Sequence, residues 1–250
     1  MTRRVRAALT VVVALVTGAG LLTAPAAPAA EADRGAVLET KMLGSSVRGR
    51  PIYAYRVGNP DAKVTAVAMS TMHGNEPHTR QILQAIRDGR KVHGLDLWVI
   101  PTVNPDGLAR RTRRNAHGVD LNRNFPFAWA DLDGSYESGP GPASEPETRA
   151  VMRFFKQVRP RYVVSFHQPL YGVDTSTRST RPFARRLARG LNLPRKSLVC
   201  GGVCHGTFTM WFNHHFAGKA VTVEYGAHPS RHRMRVRAPR QLVRVLGGHY

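Results

Sequence analysis

Val64-Thr-Ala-Val-Ala-Met-Ser-Thr-Met-His-Gly-Asn-Glu76 is the stretch of sequence that decides the fold of this chain. Its first eight residues form an apolar run with β-branched side chains, which is typical of a buried strand. The run leads into His73 and Glu76, which lie three positions apart and therefore reach the same side of a helical turn. Gly74 leaves room beside the imidazole. The stretch predicts a buried strand that presents two candidate metal ligands at its carboxyl end.

Strand-like and helix-like segments alternate along the rest of the 250-residue chain. Apolar runs predict further strands at 97–100, 162–166 and 220–223, and helical spacing predicts helices at 78–88, 144–158, 182–191 and 207–216. This alternation predicts an α/β fold with a single domain, in which a mostly parallel, twisted, mixed sheet carries helices on both faces.

Two local signals refine this pattern. Asn104-Pro-Asp-Gly107 is a strong turn sequence that ends the second strand. Ser144 is a good N-cap for the helix at 144–158, and Glu147, three positions later, would complete a capping box.

Chemically active side chains follow two other predicted strands. His167 follows the strand at 162–166 and Glu224 follows the strand at 220–223. Open α/β sheets place their ligand sites at the carboxyl ends of strands, and a catalytic zinc has three protein ligands and an open position. We therefore expect His73, Glu76 and His167 to bind zinc. The alternative for His167 alone is a core histidine bonded to backbone.

Glu224 is the expected general base, because burial at the edge of an apolar sheet raises a carboxyl pKa. A salt-bridged residue at a strand end is the alternative. Positive charge for an oxyanion and a substrate carboxylate is available in Arg110-Arg-Thr-Arg-Arg114 and at Asn122-Arg123, since the planar guanidinium matches a carboxylate. A solvated basic loop is the alternative for the first cluster.

Residues 1–29 are predicted to be a signal peptide. Arg3, Arg4 and Arg6 precede an apolar run at 7–22, and Ala24-Pro-Ala-Ala-Pro-Ala-Ala30 offers cleavage sites, with cleavage expected after Ala29. A membrane anchor is the alternative, but the run is shorter than the roughly 20 apolar residues that span a bilayer. A flexible segment is expected at 30–42 and the catalytic domain at 43–250. The protein is therefore expected to be secreted, with association to the cell wall as an option.

The formal charge of +21 falls to +18 once the three arginines of the leader are removed. Such a charge favours anionic partners: nucleic acid, lipid headgroups or the phosphate-rich polymers of a bacterial wall. The arginines are scattered along the chain and no nucleic-acid-binding motif is present, so nucleic acid is not expected. No later segment is apolar enough for stable membrane insertion. A solvated basic surface without a dedicated partner explains the charge equally well.

The only cysteines, Cys200 and Cys204, are expected to form a disulfide that closes a short loop containing two glycines. A zinc-binding pair is the alternative, but no further cysteines could complete a structural site.

A set of motifs in fixed order gives the family. The chain resembles the zinc carboxypeptidase (funnelin) family, and its fold is therefore expected to be carboxypeptidase-like. The motifs are His73-x-x-Glu76, Asn104-Pro-Asp-Gly107, Gly118-Val-Asp-Leu-Asn-Arg-Asn-Phe-Pro126, Ser144-Glu-Pro-Glu-Thr148, Ser165-Phe-His167 and Thr222-Val-Glu224.

This resemblance assigns roles to the residues that match. It implies one Zn²⁺ per chain bound by His73, Glu76 and His167, with Glu224 as the general acid and base. Asn122 and Arg123 would bind the terminal carboxylate of the substrate. Arg113 would stabilise the oxyanion, and Arg110, Arg111 or Arg114 could be the equivalent residue instead.

The chain departs from the digestive carboxypeptidases in its shorter length and in a compact connection between His167 and Glu224. No motif places their substrate-capping tyrosine, for which Tyr171 and Tyr225 are candidates. Its length, its Gly118–Pro126 motif and Phe166-His-Gln-Pro169 resemble bacterial murein peptide amidases, which cleave between γ-D-glutamate and meso-diaminopimelate. The expected substrate is then a muropeptide. The alternatives are a general metallocarboxypeptidase and a non-catalytic cell-wall-binding protein.

Overall fold

The computed structural model describes residues 36–198 and 201–250. One eight-stranded mixed sheet crosses this part of the chain in the order β1-β2-β4-β3-β5-β8-β6-β7. The strands are β1 (Val37–Ser45), β2 (Pro51–Gly58), β3 (Thr65–Met69), β4 (Asp96–Ile100), β5 (Tyr162–His167), β6 (Leu170–Asp174), β7 (Arg195–Lys196) and β8 (Lys219–Gly226). The helices are α1 (Arg80–Arg87), α2 (Pro105–Arg110), α3 (Pro146–Val158), α4 (Arg181–Leu191), α5 (Phe208–His215) and α6 (Ala238–Leu246).

The centre of the sheet is parallel. Strand β3 pairs in parallel with β4 and β5, and β5 pairs in parallel with β8. The antiparallel strands β1 and β2 extend one side, and β6 runs antiparallel to β8 on the other. The carboxyl ends of the four parallel strands therefore meet at one edge, as expected for the predicted α/β fold.

Helices cover both faces of the sheet. Alternate residues of each central strand point to opposite faces, so Val163 packs into one apolar cluster and Val164 into the other. The first cluster contains the apolar side of α3 and α5, and the second contains the apolar sides of α1, α4 and α6. These two layers hold the central strands rigidly and fix the edge where the polar side chains emerge.

The prediction of a flexible segment at 30–42 is wrong for residues 37–42, which belong to β1. This strand is mostly exposed and lacks an apolar run, but its backbone pairs with β2 from Val37 to Ser45. Backbone hydrogen bonds to β2 therefore form a strand that the side-chain pattern of β1 does not predict. The predicted leader at 1–29 lies outside the described residues.

Two other local predictions are corrected. Asn104-Pro-Asp-Gly107 starts helix α2 and is not a simple turn, because the side chain of Asn104 accepts a hydrogen bond from the Gly107 amide. The capping box at Ser144 and Glu147 does not form, since α3 begins at Pro146. The Glu147 carboxylate instead accepts hydrogen bonds from the Val47 amide and from Asn115.

Within residues 36–198 and 201–250, no helix is long and apolar enough to cross a membrane.

Candidate metal centre and active site

The edge where the parallel strands end brings the predicted ligands together. His167 is the last residue of β5 and lies opposite Glu224 of β8 in the strand register. The chain leaves β3 at Met69, turns through residues 70–72 and places His73 at the same edge. Gly74 packs against the backbone of Gly107, where an added Cβ would lie 1.9 Å from the Gly107 carbonyl carbon. Glycine is therefore required for this close approach of the ligand turn to α2.

Three donor atoms converge there. Nδ1 of His73 lies 2.7 Å from Oε1 of Glu76, and Nδ1 of His167 lies 3.0 Å from Oε2 of the same carboxylate. The two Nδ1 atoms are 3.2 Å apart. All three residues are at least 95% buried, so little of this donor set faces bulk water.

This donor set fits zinc. Two imidazole nitrogens and one carboxylate are a common ligand set for a hydrolytic zinc ion, which keeps its remaining position open. In the part of the chain that the structure describes, this is the one group of three potential ligands close enough to hold a metal ion. The residues predicted from the sequence are therefore in place to bind the metal.

The far nitrogens of both rings have partners of their own. Nε2 of His73 lies 3.0 Å from Oδ1 of Asp120, and Nε2 of His167 lies 3.1 Å from the hydroxyl of Ser165. The amide of Gln168 donates to Oε2 of Glu76. These contacts orient each ligand and leave Nδ1 of each imidazole for the metal.

Asp120 and Ser165 were not assigned a role from the sequence. Both lie in motifs that the sequence analysis identified, and a carboxylate two positions before the Asn122-Arg123 pair was the available signal for Asp120. The sequence does not reveal the contact between Asp120 and His73, because these residues are 47 positions apart.

The charges of the site depend on one another. Burial alone would lower the pKa of His73, but the carboxylates of Glu76 and Asp120 outweigh it and raise that pKa to about 9. Burial would raise the pKa of Glu76, but the two imidazoles lower it to about 2. A metal ion that binds here must therefore replace a proton held between the imidazoles and the carboxylates.

We expect Asp120→Asn to lower zinc affinity by about 10- to 100-fold, because partners of metal-bound histidines have effects of this size. The amide keeps the shape of the side chain but removes the charge that supports the His73 ring. Competition with a chromogenic chelator measures the affinity. Asp131→Asn, at an exposed position, is the control, and an unchanged zinc affinity in the Asp120 variant would contradict the role of this contact.

Glu224 lies beside the ligand set but outside it. The residue is 7% exposed, and its carboxylate accepts a hydrogen bond from the Leu170 amide at 3.2 Å. Burial raises its pKa, and the neighbouring Glu76 charge acts in the same direction, against the effect of His167. A raised pKa makes the carboxylate a stronger base towards water than an exposed glutamate.

Arg113 is the arginine of the 110–114 cluster that reaches the site. Its guanidinium lies 3.4 Å from Nδ1 of His73 and 3.8 Å from Oε1 of Glu76, and it binds the Asp120 carboxylate through Nε and Nη2. The neighbouring Arg114 instead bonds to the Gly134 carbonyl at the surface. Geometry therefore favours Arg113 as the cation beside the metal ligands.

Asn122 and Arg123 lie in a short 3-10 turn that begins at Asp120, whose carboxylate accepts a hydrogen bond from the Asn122 amide. The Arg123 guanidinium is almost fully buried, lies 4.9 Å from the centre of the Tyr136 ring and has an Nε without a hydrogen-bond partner. Burial lowers the pKa of Arg123. A buried guanidinium with an unused donor is suited to bind a carboxylate from the substrate.

Gly206, Thr207 and Phe208 form a segment, here called the strap, that packs against the turn containing Asn122 and Arg123. The Phe208 amide donates to Oδ1 of Asn122, which fixes the orientation of the side-chain amide. The Gly206 carbonyl accepts a hydrogen bond from the Phe125 amide. Gly206 has a φ of 57°, and an added Cβ would lie 2.3 Å from the Arg123 carbonyl oxygen.

We expect Gly206→Ala to raise KM more than it lowers kcat, because the new methyl group would displace the Asn122-Arg123 turn without touching the metal ligands. Steady-state kinetics and zinc content check this. Gly141→Ala is the control, since no atom lies within 4 Å of its added Cβ. Loss of zinc together with an unchanged KM would show that the strap supports the metal ligands instead.

The candidate capping tyrosines occupy different environments. Tyr225 is fully buried and packs near Phe166 and Arg233, so it is part of the hydrophobic core. Tyr171 is 44% exposed and follows Leu170, whose amide binds Glu224. Cys200 lies outside the described residues, so its disulfide with Cys204 stays a prediction.

Comparison with known proteins gives the family. The profile of the zinc carboxypeptidase family matches residues 29–169, more than half of the chain. The chain belongs to the zinc carboxypeptidase family. The resemblance and the expectation of a hydrolase are therefore confirmed, and membership implies zinc as the metal of the His-Glu-His site.

Several zinc carboxypeptidase relatives are murein peptide amidases. Murein peptide amidase A of Escherichia coli strain K12 is 33% identical over 201 residues, which are 72% of this chain and 79% of that protein. The Vibrio campbellii protein of the same name is 31% identical over 65% of this chain and 70% of its own length.

Solved structures give the same result for the fold. The murein-tripeptide amidase MpaA of Escherichia coli O157 superposes with a TM-score of 0.70 at 28% identity, covering 88% of this chain and 97% of that one. Carboxypeptidase A of Helicoverpa armigera superposes with a TM-score of 0.71 at 17% identity, covering 84% of this chain and 68% of that one. The carboxypeptidase-like α/β fold is therefore confirmed.

Proposed function

We propose that the protein is a secreted zinc amidase that hydrolyses the γ-D-glutamyl–meso-diaminopimelate bond of peptidoglycan stem peptides. The observation that carries this proposal is the buried Arg123 guanidinium, whose Nε has no hydrogen-bond partner and which lies next to Asn122 and near Asp120, the partner of the ligand His73. This guanidinium would bind a free carboxylate of the substrate close to the scissile bond. The 33% identity to a murein peptide amidase over 79% of that protein supports the choice of substrate.

His73, Glu76 and His167 would hold a zinc ion, which would supply Lewis-acid polarisation of the scissile carbonyl and activation of a water molecule. Glu224 accepts the proton of the attacking water and delivers it to the leaving nitrogen. Arg113 lies near enough to the ligands to stabilise negative charge on the carbonyl oxygen.

Asn122 and Arg123 form a carboxylate clamp that orients the substrate. Diaminopimelate carries a free carboxylate on the carbon next to the scissile nitrogen, and Asn122 and Arg123 would bind it with charge-assisted hydrogen bonds. The strap at Gly206 fixes this clamp relative to the metal ligands.

Product analysis tests the proposal. The zinc-loaded protein is incubated with a muropeptide tripeptide and, separately, with blocked L-dipeptides that have a free C-terminal carboxylate. Release of diaminopimelate from the first and no amino acid from the second is the expected result. Hydrolysis of the L-dipeptides alone would identify a general metallocarboxypeptidase, which uses the same residues.

A protein without activity on either substrate, despite full zinc content, would instead be a cell-wall-binding protein. The presence of all three ligands, Glu224 and the clamp argues against that alternative. Export is tested separately, by sequencing the N-terminus of protein recovered outside the cell, which is expected to begin after Ala29.

A further inference from the structure

The positive charge of the chain is concentrated in its last third. Residues 175–250 contain fourteen arginine and lysine side chains and a single acidic one, Glu224, which is buried in the active site. Residues 36–174 contain thirteen acidic side chains alongside their basic ones. The excess of basic over acidic side chains is therefore 13 in residues 175–250 but only 6 in residues 36–174, where 19 basic side chains face 13 acidic ones.

The fold gathers these cations on one side of the molecule. Helices α4 and α6 pack side by side against the same face of the sheet, and Gly190 of α4 lies directly against Val245 of α6. Apolar side chains fill the inner sides of both helices. The exposed cations recur at helical spacing on the outer sides, at positions 185 and 189 of α4 and 240 and 244 of α6.

We call this surface the basic face. Its members are exposed and come from α4, β7 and the segment that leads into and through α6. They are Arg185, Arg189, Arg195, Lys196, Arg231, Arg235, Arg237, Arg240 and Arg244.

A cavity of about 450 Å³ opens between α4 and β7 on this side. It is lined by three arginines and three hydroxyl-bearing residues and by no acidic side chain: Thr175, Ser176, Arg181, Arg185, Arg195 and Ser197. The nearby Asp174 carboxylate is occupied by the Ser176 and Leu198 amides. Arginine and hydroxyl donors around a concave surface are the groups that bind phosphate oxygens.

We propose that the basic face is a docking surface for a linear phosphodiester polymer of the cell wall, which holds the enzyme near its substrate. Repulsion among so many like charges is relieved when a polyanion binds and its counterions are released. The face is built from the outer sides of α4 and α6, the edge strand β7 and the segment before α6, whereas the metal ligands lie at the carboxyl ends of the parallel strands. A bound polymer therefore leaves the zinc site open. The choice of a wall polymer over nucleic acid rests on the proposed export and wall substrate.

A cosedimentation experiment with matched variants tests this docking. Arg185→Gln/Arg195→Gln/Arg240→Gln removes one cation from each of α4, β7 and α6. Within the described residues, none of these three arginine side chains forms a hydrogen bond or an ion pair. The control is Arg153→Gln/Lys156→Gln/Arg159→Gln, which removes three exposed cations at α3, on the opposite face of the sheet. Both variants have the same net charge. The zinc-loaded proteins are mixed with walls that carry phosphodiester polymer and with walls stripped of it, across a series of salt concentrations.

We expect the first variant to bind polymer-bearing walls at least about 10-fold more weakly, with the slope of log affinity against log salt reduced by about 1 per lost contact. The control should bind like the unaltered protein, and all three should cleave a small soluble muropeptide equally. Three results would each overturn the proposal. They are an equal loss of wall binding in both variants, binding of the unaltered protein to stripped walls as tight as to polymer-bearing walls, and tighter binding of the unaltered protein to duplex DNA or anionic vesicles than to polymer-bearing walls. Because binding is measured without turnover, a failure of docking is distinguishable from a failure of the proposed amidase activity.

Discussion

Replacing Glu224 with glutamine is expected to lower kcat by about 10²- to 10⁴-fold, the range of general acid–base catalysis, while zinc content stays unchanged. The carboxylate lies outside the ligand set, so the metal keeps its three protein ligands. The amide preserves the volume of the side chain and can still accept the hydrogen bond from the Leu170 amide. What it loses is the ability to take a proton from water and pass it to the leaving nitrogen.

The measurement is kcat on a soluble muropeptide together with zinc content by atomic spectroscopy. Glu39→Gln, on the exposed strand β1, is the matched control and should retain full activity. Retained activity after Glu224→Gln would show that another group moves the proton. Loss of both activity and zinc would show that Glu224 supports the metal site instead.

Replacing His167 with alanine is expected to abolish stable zinc binding and activity together. Two protein ligands would remain, and a catalytic zinc site normally needs three. The variant also leaves Oε2 of Glu76 without its imidazole partner in a buried place. Addition of zinc should therefore raise the melting temperature of the unaltered protein but not that of the variant, because only a ligand bound to the folded state stabilises it.

His232→Ala is the matched control, since His232 is exposed and distant from the ligands in the chain. It should keep one zinc per chain and the full zinc-dependent rise in melting temperature. One equivalent of tightly bound zinc in His167→Ala would rule out this histidine as a ligand.

The central strands could be predicted because burial on both faces leaves a continuous apolar run. Residues 97–100 and 162–166 became β4 and β5 with little change at their ends. The outer strands were not predicted. Strand β2 buries Ile52 and Ala54 and exposes Tyr53, but all three side chains are apolar, so the sequence shows no alternation of polar and apolar residues there. Strands β6 and β7 are short and exist through pairing with distant partners, which no local pattern reveals.

The ligands could be predicted because each follows a strand whose carboxyl end reaches the same edge of the sheet. The groups that support them could not. Asp120 contacts His73 and Tyr136 lies against Arg123 through loops whose path depends on the whole fold. The selection of Arg113 from four arginines likewise needed the contacts with His73 and Asp120.

The register of β5 and β8 sets the spacing of the catalytic groups. His167 and Glu224 are paired neighbours on adjacent parallel strands, so the distance between ligand and base is that of one rung of the ladder, about 4.8 Å between strand axes. A slip of one residue would turn Glu224 to the opposite face of the sheet. The 56 residues between them, which include the strap and four of the nine members of the basic face, do not determine that distance. The charge of the exposed positions in this stretch can therefore change, and with it the proposed docking, while the spacing of His167 and Glu224 stays the same.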